Sequence, residues 1–171
     1  MEALENLLTR KSIKKFKSDA VDKALIEKIV QAGMYAPTGR NMQSPIILAV
    51  TNKKVRDELS ALNAKVMGAE NDPFYNAPVV LVVLARKDVR TGIYDGSVVM
   101  ENLLLAAHAL GLGACWVHRA KETFEMPEGK AILKGLGIEE EYEGIGNCII
   151  GYADMQPIEK PRKENWVYYI D

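Results

Sequence analysis

The chain has 171 residues, 48% of them apolar and 26% charged, with a formal net charge of −1. That length suits one domain, here expected to span residues 1–171, with a real hydrophobic core. The near-neutral balance gives no electrostatic reason to expect nucleic acid or an anionic membrane as main partner. Two cysteines and two histidines are too few for a convincing metal cluster.

The opening "MEALENLLTRKSIKKF" has acids ahead of its apolar positions and no long hydrophobic stretch, so it does not read as a signal peptide. Residues 2–9 form a short helix with Leu4, Leu7 and Leu8 on one face. "TRKSIKKFK" at 9–17 follows, with five cations and two hydroxyls. A solvated basic loop, a nucleic-acid arm and a phosphate site all fit it. The arm lacks aromatic interleaving and overall basicity. For a phosphate, Arg10 offers a bidentate fork, Lys11 a point charge and Ser12 a hydroxyl. Lys160 and Arg162, flanking Pro161 far downstream, could complete such a site.

Asp22 caps a second helix, with Leu25, Ile26, Ile29, Val30 and Gly33 at helical spacing. "APTGRNMQSP" at 36–45 then joins it to an apolar run. Pro37, Gly39 and Pro45 answer to turn chemistry. Thr38, Arg40, Asn41 and Gln43 do not, and they gather a hydroxyl, a guanidinium and two amides within six residues. A plain solvated loop is the simpler account.

Residues 46–51 read as a strand, 53–66 as a helix and 79–85 as a buried strand between Pro78 and Arg86. The longest apolar run, 77–85, is far short of a membrane span, and a cytoplasmic location is expected. Residues 95–111 form an apolar helix ending at Gly111. Its hydrophobic residues cover nearly the whole circumference, so it should be buried on every side, either as the central core helix or as core plus subunit interface. Asn102 and His108 interrupt that surface, His108 reading as a structural histidine. A strand at 114–118, a short helix at 127–135 and a core strand at 144–152 follow, with Cys115 and Cys148 as reduced core cysteines. The tail from 153 carries two prolines and then "WVYYI", which must pair with a sheet edge or enter a groove. Strands and helices in non-alternating order make an α+β domain with helices over a largely antiparallel sheet.

Four stretches together resemble the FMN-dependent nitroreductase family: "TRKSIKKF", "APTGRNMQ", "AAHALGLGACWV" and "GYADMQPIEKPR", in order and spanning nearly the whole chain. The resemblance is to the short members. It implies a three-layer α-β-α homodimer holding two FMN molecules between its subunits, with NADH or NADPH as hydride donor and a small acceptor such as a nitroaromatic or quinone. It places Pro37 and Thr38 by the flavin ring, and Asn41 and Gln43 on its polar edge or ribityl chain. Arg10, Ser12 and Lys11 match the family's phosphate group, completed by Arg162 and Lys160. Val117 and His118 fall where a strand end presents backbone to the flavin. The tail, 153–171, would cross to the partner and add a strand to its sheet.

The chain departs from the family where Ser44, Pro45 and Ile46 follow Gln43, and where His118 and Arg119 follow "ACWV". The last two could narrow the pocket, engage an anionic acceptor or simply sit on the surface. Two other readings stand beside catalysis by flavin: a non-catalytic FMN-binding homodimer, and a thiol enzyme using Cys115 near His118. Within the family, enone reduction and dehalogenation use the same scaffold.

Overall fold

Strand β2 (Val79–Arg86) is buried along its length except at Arg86. Its alternating side chains feed two separate clusters. Leu81, Val83 and Ala85 meet Ile29 of α2 (Lys23–Met34) and Met100 and Leu103 of α4 (Gly92–Ala109). Val80, Val82 and Leu84 meet Leu59 of α3 (Lys53–Met67), Phe124 of α5 (Ala120–Glu125) and Leu133 of α6 (Pro127–Gly135). Each buried Val or Leu contributes about 1.5–3 kcal/mol. A strand covered on both faces needs no polar alternation, which is why it stands out as an uninterrupted apolar run.

The structure is a computed structural model describing residues 1–170. Beside β2 lie β1 (Ile46–Val50), β3 (Gly113–Val117) and β4 (Tyr142–Gly151), in the order β1-β2-β4-β3, every pair antiparallel. With α2 and α4 on one face and α3, α5 and α6 on the other, the expected three-layer α-β-α arrangement of an α+β fold is present. Asp22 caps α2 by accepting from the Ala24 N–H at 2.9 Å. Both cysteines are free and buried, and burial raises the Cys148 thiol well above its ordinary range. No helix among the described residues is long and apolar enough to cross a membrane.

Two expectations need correction. Helix α4 begins at Gly92 rather than 95, and its outer side is open in the single chain: Tyr94 is 72% exposed and Val98 39%. Helix α5 was not foreseen, because six residues are too few to show a period. The segment 166–170 forms no strand in this chain, and its residues are 59–98% exposed. It pairs with no edge of its own subunit. The outer side of β3 is partly taken by a parallel bridge between Ser12 and Ala114, while β1 is the other sheet edge. Asp171, the end of the expected 153–171 extension, lies outside the described residues. Short helix α1 (Ala3–Thr9) buries none of its residues, and Leu4, Leu7 and Leu8 face outward.

A buried ion pair holds α3 to the loop before β2. The Arg56 guanidinium donates to the Asp72 carboxylate and to the Ala77 carbonyl. Asp72 also accepts from Ser60 Oγ and from the Phe74 and Asn76 N–H groups. Burial alone would raise the Asp72 pKa, but these hydrogen bonds outweigh it and hold the carboxyl below the ordinary value. A depressed carboxyl adds stability that is present above the unfolded-state pKa and lost as pH falls through the folded one. Arg56→Ala leaves Asp72 without its cation and should cost about 3 kcal/mol in urea unfolding at pH 7. The deficit should shrink as the medium is acidified below about pH 4, where Asp72 is neutralised in the unfolded chain. A deficit independent of pH would mean that packing, not the ion pair, is at stake.

Candidate functional site

Loop 36–45 is held in a strained shape. Arg40, Asn41 and Gln43 all have positive φ, at 53°, 54° and 49°. None is glycine, and for side-chain-bearing residues this region costs about 1–2 kcal/mol each. The bracing comes from inside the loop and from α4. Thr38 Oγ1 accepts from the Gln43 N–H at 3.0 Å, and Asn41 Oδ1 accepts from Gln43 Nε2 at 3.1 Å. The buried Asp95 carboxylate accepts from the Gly39 N–H and from Thr91 Oγ1, each at 2.9 Å. At Gly39 a Cβ would sit 2.4 Å from Thr91 Oγ1, so only glycine lets the loop come this close. Thr38 and Gln43 then border a cleft of about 400 Å³ whose other walls include Val30, Met34, Pro45 and Ile46. Pro37 and Asn41, in the same loop, are exposed.

A second, basic pocket of about 370 Å³ lies where α1, the last turn of α4 and the start of the tail meet. Arg10, Lys11 and His108 line it, with Gln156 from the tail. Arg10 and Lys11 are each paired with an acid, Glu101 at 4.0 Å and Glu159 at 3.5 Å. The latter contact brings the tail to this pocket one residue before Lys160. Lys160, Arg162 and Ser12 are exposed, Ser12 beside the pocket through its bridge to Ala114.

At the end of β3, the carbonyls of Val117 and His118 accept from Asn147 Nδ2, and His118 O also accepts from Asn63 Nδ2 at 2.8 Å. Arg119 donates to Asn63 Oδ1 at 2.9 Å with φ at 73°. Its guanidinium is therefore a brace on α3. The exposed His118 ring instead lies 5.8 Å from that of Trp116. Cys115, 4% exposed, has no opening through which to act as a nucleophile.

These features do not converge within one subunit. Asp95 holds the loop near the start of α4, while His108 faces the basic pocket thirteen residues later, about 20 Å along the axis. They also lie on different sides of the helix. Between them runs an open stripe of Tyr94, Val98 and Leu105, joined by Glu101, at the spacing of one helical face. Asp95, Thr91 and Asn63 were not singled out in the sequence. An acid in the first turn of a helix reads as dipole compensation, and its reach back to residue 39 leaves no local mark.

The three-layer arrangement defines a fold class, and solved structures share it. A nitroreductase with bound FMN from Bacteroides fragilis superposes with a TM-score of 0.89, covering 100% of both chains at 24% identity. The chain is 30% identical over 141 residues to a protein provisionally named NADH dehydrogenase/NAD(P)H nitroreductase from Methanothermobacter thermautotrophicus, covering 75% of this chain and 71% of that one. It is 25% identical over 183 residues to the NADPH-flavin oxidoreductase of Vibrio harveyi, covering 93% and 69%. The model of the nitroreductase family matches residues 7–152. The chain belongs to the nitroreductase family.

The loop bracing is open to test without any ligand. Asp95→Ala strands the Gly39 N–H and should cost about 1–3 kcal/mol in denaturant unfolding, with faster tryptic cleavage at Arg40. Asp95→Asn keeps an acceptor for Gly39 and should cost far less. Equal losses in both variants would assign the effect to charge rather than to the hydrogen bond.

Proposed function

We propose that the protein is an FMN-dependent NAD(P)H oxidoreductase, working as a homodimer, that passes hydride to a small acceptor such as a nitroaromatic or a quinone by a ping-pong scheme. One observation carries the composite site: a strained, hydrogen-bonding loop and a cationic pocket lie on different sides of α4, each of them half of what a flavin mononucleotide requires. The family membership, the NADPH-flavin oxidoreductase relative and the FMN-bound structural neighbour support the cofactor and the reaction class.

The residues fit the group. A dianionic phosphate suits Arg10, Lys11 and Ser12, completed by Lys160 and Arg162 from the tail. The pyrimidine edge and ribityl hydroxyls suit Asn41 and Gln43, whose side-chain amides, among the described residues, bond to each other. Pro37 and Thr38 offer the ring a short, mostly apolar wall, and the Val117–His118 strand end borders it from the sheet. FMN, when bound, supplies the hydride-accepting and hydride-donating centre, so no side-chain nucleophile or general base is needed. The protein's part is to orient the rings, fix the phosphate and keep donors aimed at the polar edge.

Homodimerisation joins the halves. The outer stripe of α4 and the three leucines of α1 form an apolar surface suited to a second subunit. Between α2 and β1 runs a groove of about 960 Å³, bordered by Val21, Ile26, Tyr35, Ala49 and Thr51. In this reading the partner's 166–170 enters it and pairs with the free edge of β1, and of the expected 153–171 extension only the part from about 160 onward wraps the other subunit. The lead into the tail stays on its own subunit, where Lys15 pairs with Asp154 at 2.8 Å.

The decisive test is colour. Purified protein should be yellow, bleach anaerobically with NADH or NADPH and recolour when a quinone or nitroaromatic is added. Yellow protein that NAD(P)H leaves unbleached would identify a flavin binder without turnover. Initial rates at varied donor and acceptor should give parallel double-reciprocal lines, and intersecting lines would rule out the ping-pong scheme. Arg10→Ala should weaken FMN binding by about 1.5–3 kcal/mol, or roughly 10- to 150-fold, on fluorescence titration. Deleting 160–171 should lower both dimer stability and FMN retention, and a truncated protein still dimeric and fully flavinated would defeat the tail exchange.

A further inference from the structure

Two hydrogen bonds fasten α1 to the end of α4. The Asn6 amide donates to the Leu105 carbonyl at 3.1 Å, and Thr9 Oγ1 meets His108 Nε2 at 2.9 Å. The proton on that second bond can be placed. Thr9 has a single hydroxyl proton, and its Oγ1 donates to the Glu5 carbonyl at 2.6 Å. Thr9 therefore accepts from His108, which puts the neutral ring's proton on Nε2 and leaves Nδ1 as its basic atom. This ring lines the basic pocket with Arg10 and Lys11.

We propose that His108 is a conditional third cation of this pocket, neutral in the free protein and protonated on Nδ1 when a phosphate monoester dianion binds. The inference rests on the reading of the pocket as the FMN phosphate site. It adds a residue and a coupling: phosphate binding draws one proton from solvent, and no other bond is made or broken.

The charges facing the ring account for the switch. Burial first, and then the Arg10 guanidinium, lower the His108 pKa in the free chain, with Glu5 of α1 opposing them. Lys11 stands across the pocket, already paired with Glu159 of the tail, and Glu101 of α4 offsets Arg10. The Met1 residue also borders the pocket. Against this, the ring sits in the last turn of α4, where helix carbonyls favour a cation. A bound dianion tips that balance toward the imidazolium. The complex then has the higher His108 pKa, so the added affinity is fully present below the free-protein pKa and fades as pH rises through that of the complex. Below about pH 6 the phosphate itself takes up a proton, which bounds the effect from the acid side.

His108→Gln separates charge from position, since a glutamine amide can still donate to Thr9 but cannot be protonated. Full-length protein stripped of flavin should be titrated calorimetrically with FMN in two buffers of different ionisation enthalpy, between pH 6.5 and 8.5. Wild type should take up more protons per FMN than His108→Gln, and its affinity should fall about three- to ten-fold more across that range. Riboflavin, which lacks the phosphate, should show no such difference. NMR titration of the wild-type imidazoles supplies a measurement independent of any variant: the His108 pKa should rise when FMN is bound. Equal proton uptake by the two proteins, an unmoved His108 pKa, or the same pH profile with riboflavin would overturn the proposal. If FMN binds neither protein at any pH, the cofactor reading itself fails, and this inference with it.

Discussion

At Gly96 helix α4 lies so close to the sheet that a Cβ there would stand 2.5 Å from Ile145 Cγ1. That contact, with Val99, Met100, Leu103 and Ala107 packed in the same cluster, fixes the helix in depth and rotation on the sheet. Everything polar is then set by position along one rod. Asp95 reaches loop 36–45, Asn102 donates to the Ala32 carbonyl of α2 at 2.9 Å, and Leu105 and His108 hold α1. A bulkier residue at 96 would lift the helix and disturb the loop, α1 and the outer stripe together. Packing density at one point thus governs electrostatics some 20 Å apart along the helix.

Much of this was legible in the residues, and what escaped has physical causes. The apolar run of β2 and the cap at Asp22 are local signals, and each is where its pattern put it. The polar excess of loop 36–45 fitted a plain solvated loop as well as a binding loop, and only the family resemblance favoured the second. Its strain could not be read, because of Arg40, Asn41 and Gln43 only asparagine commonly takes positive φ. The conformation is imposed from Asp95 and Thr38, contacts that no local pattern encodes. Helix α4 shows a different gap. Its all-round apolarity was plain, but hydrophobicity alone does not separate a face buried in the core from one reserved for another subunit. That Tyr94 and Val98 lie outside the core is visible only once the sheet is in place.

The acids beside the basic pocket give it a resting state. Arg10 and Lys11 are held in place by Glu101 and Glu159 rather than left to repel one another. Both acids are solvent-exposed, so these pairs are weak and readily surrendered to a better anion. The two cations are thereby ordered at little energetic cost. If the loop and the pocket bind FMN as proposed, their strained backbone and ion pairs would serve the same end, since groups fixed in advance lose less freedom on binding.

The sheet and tail also bear on how many subunits can assemble. Among the described residues, each chain carries one open edge, the five residues of β1, and one exposed segment of five, 166–170. If two subunits exchanged these segments reciprocally about a twofold axis, as proposed, both edges would be consumed and growth would stop at two. A one-way exchange leaves an edge and a segment free at opposite ends, and the same contact then propagates into a chain of subunits. Prolines 157 and 161 and the contacts of Lys15 and Lys11 with Asp154 and Glu159 set the direction in which the tail departs. In the proposed exchange, that departure angle would decide between a closed assembly and an open one.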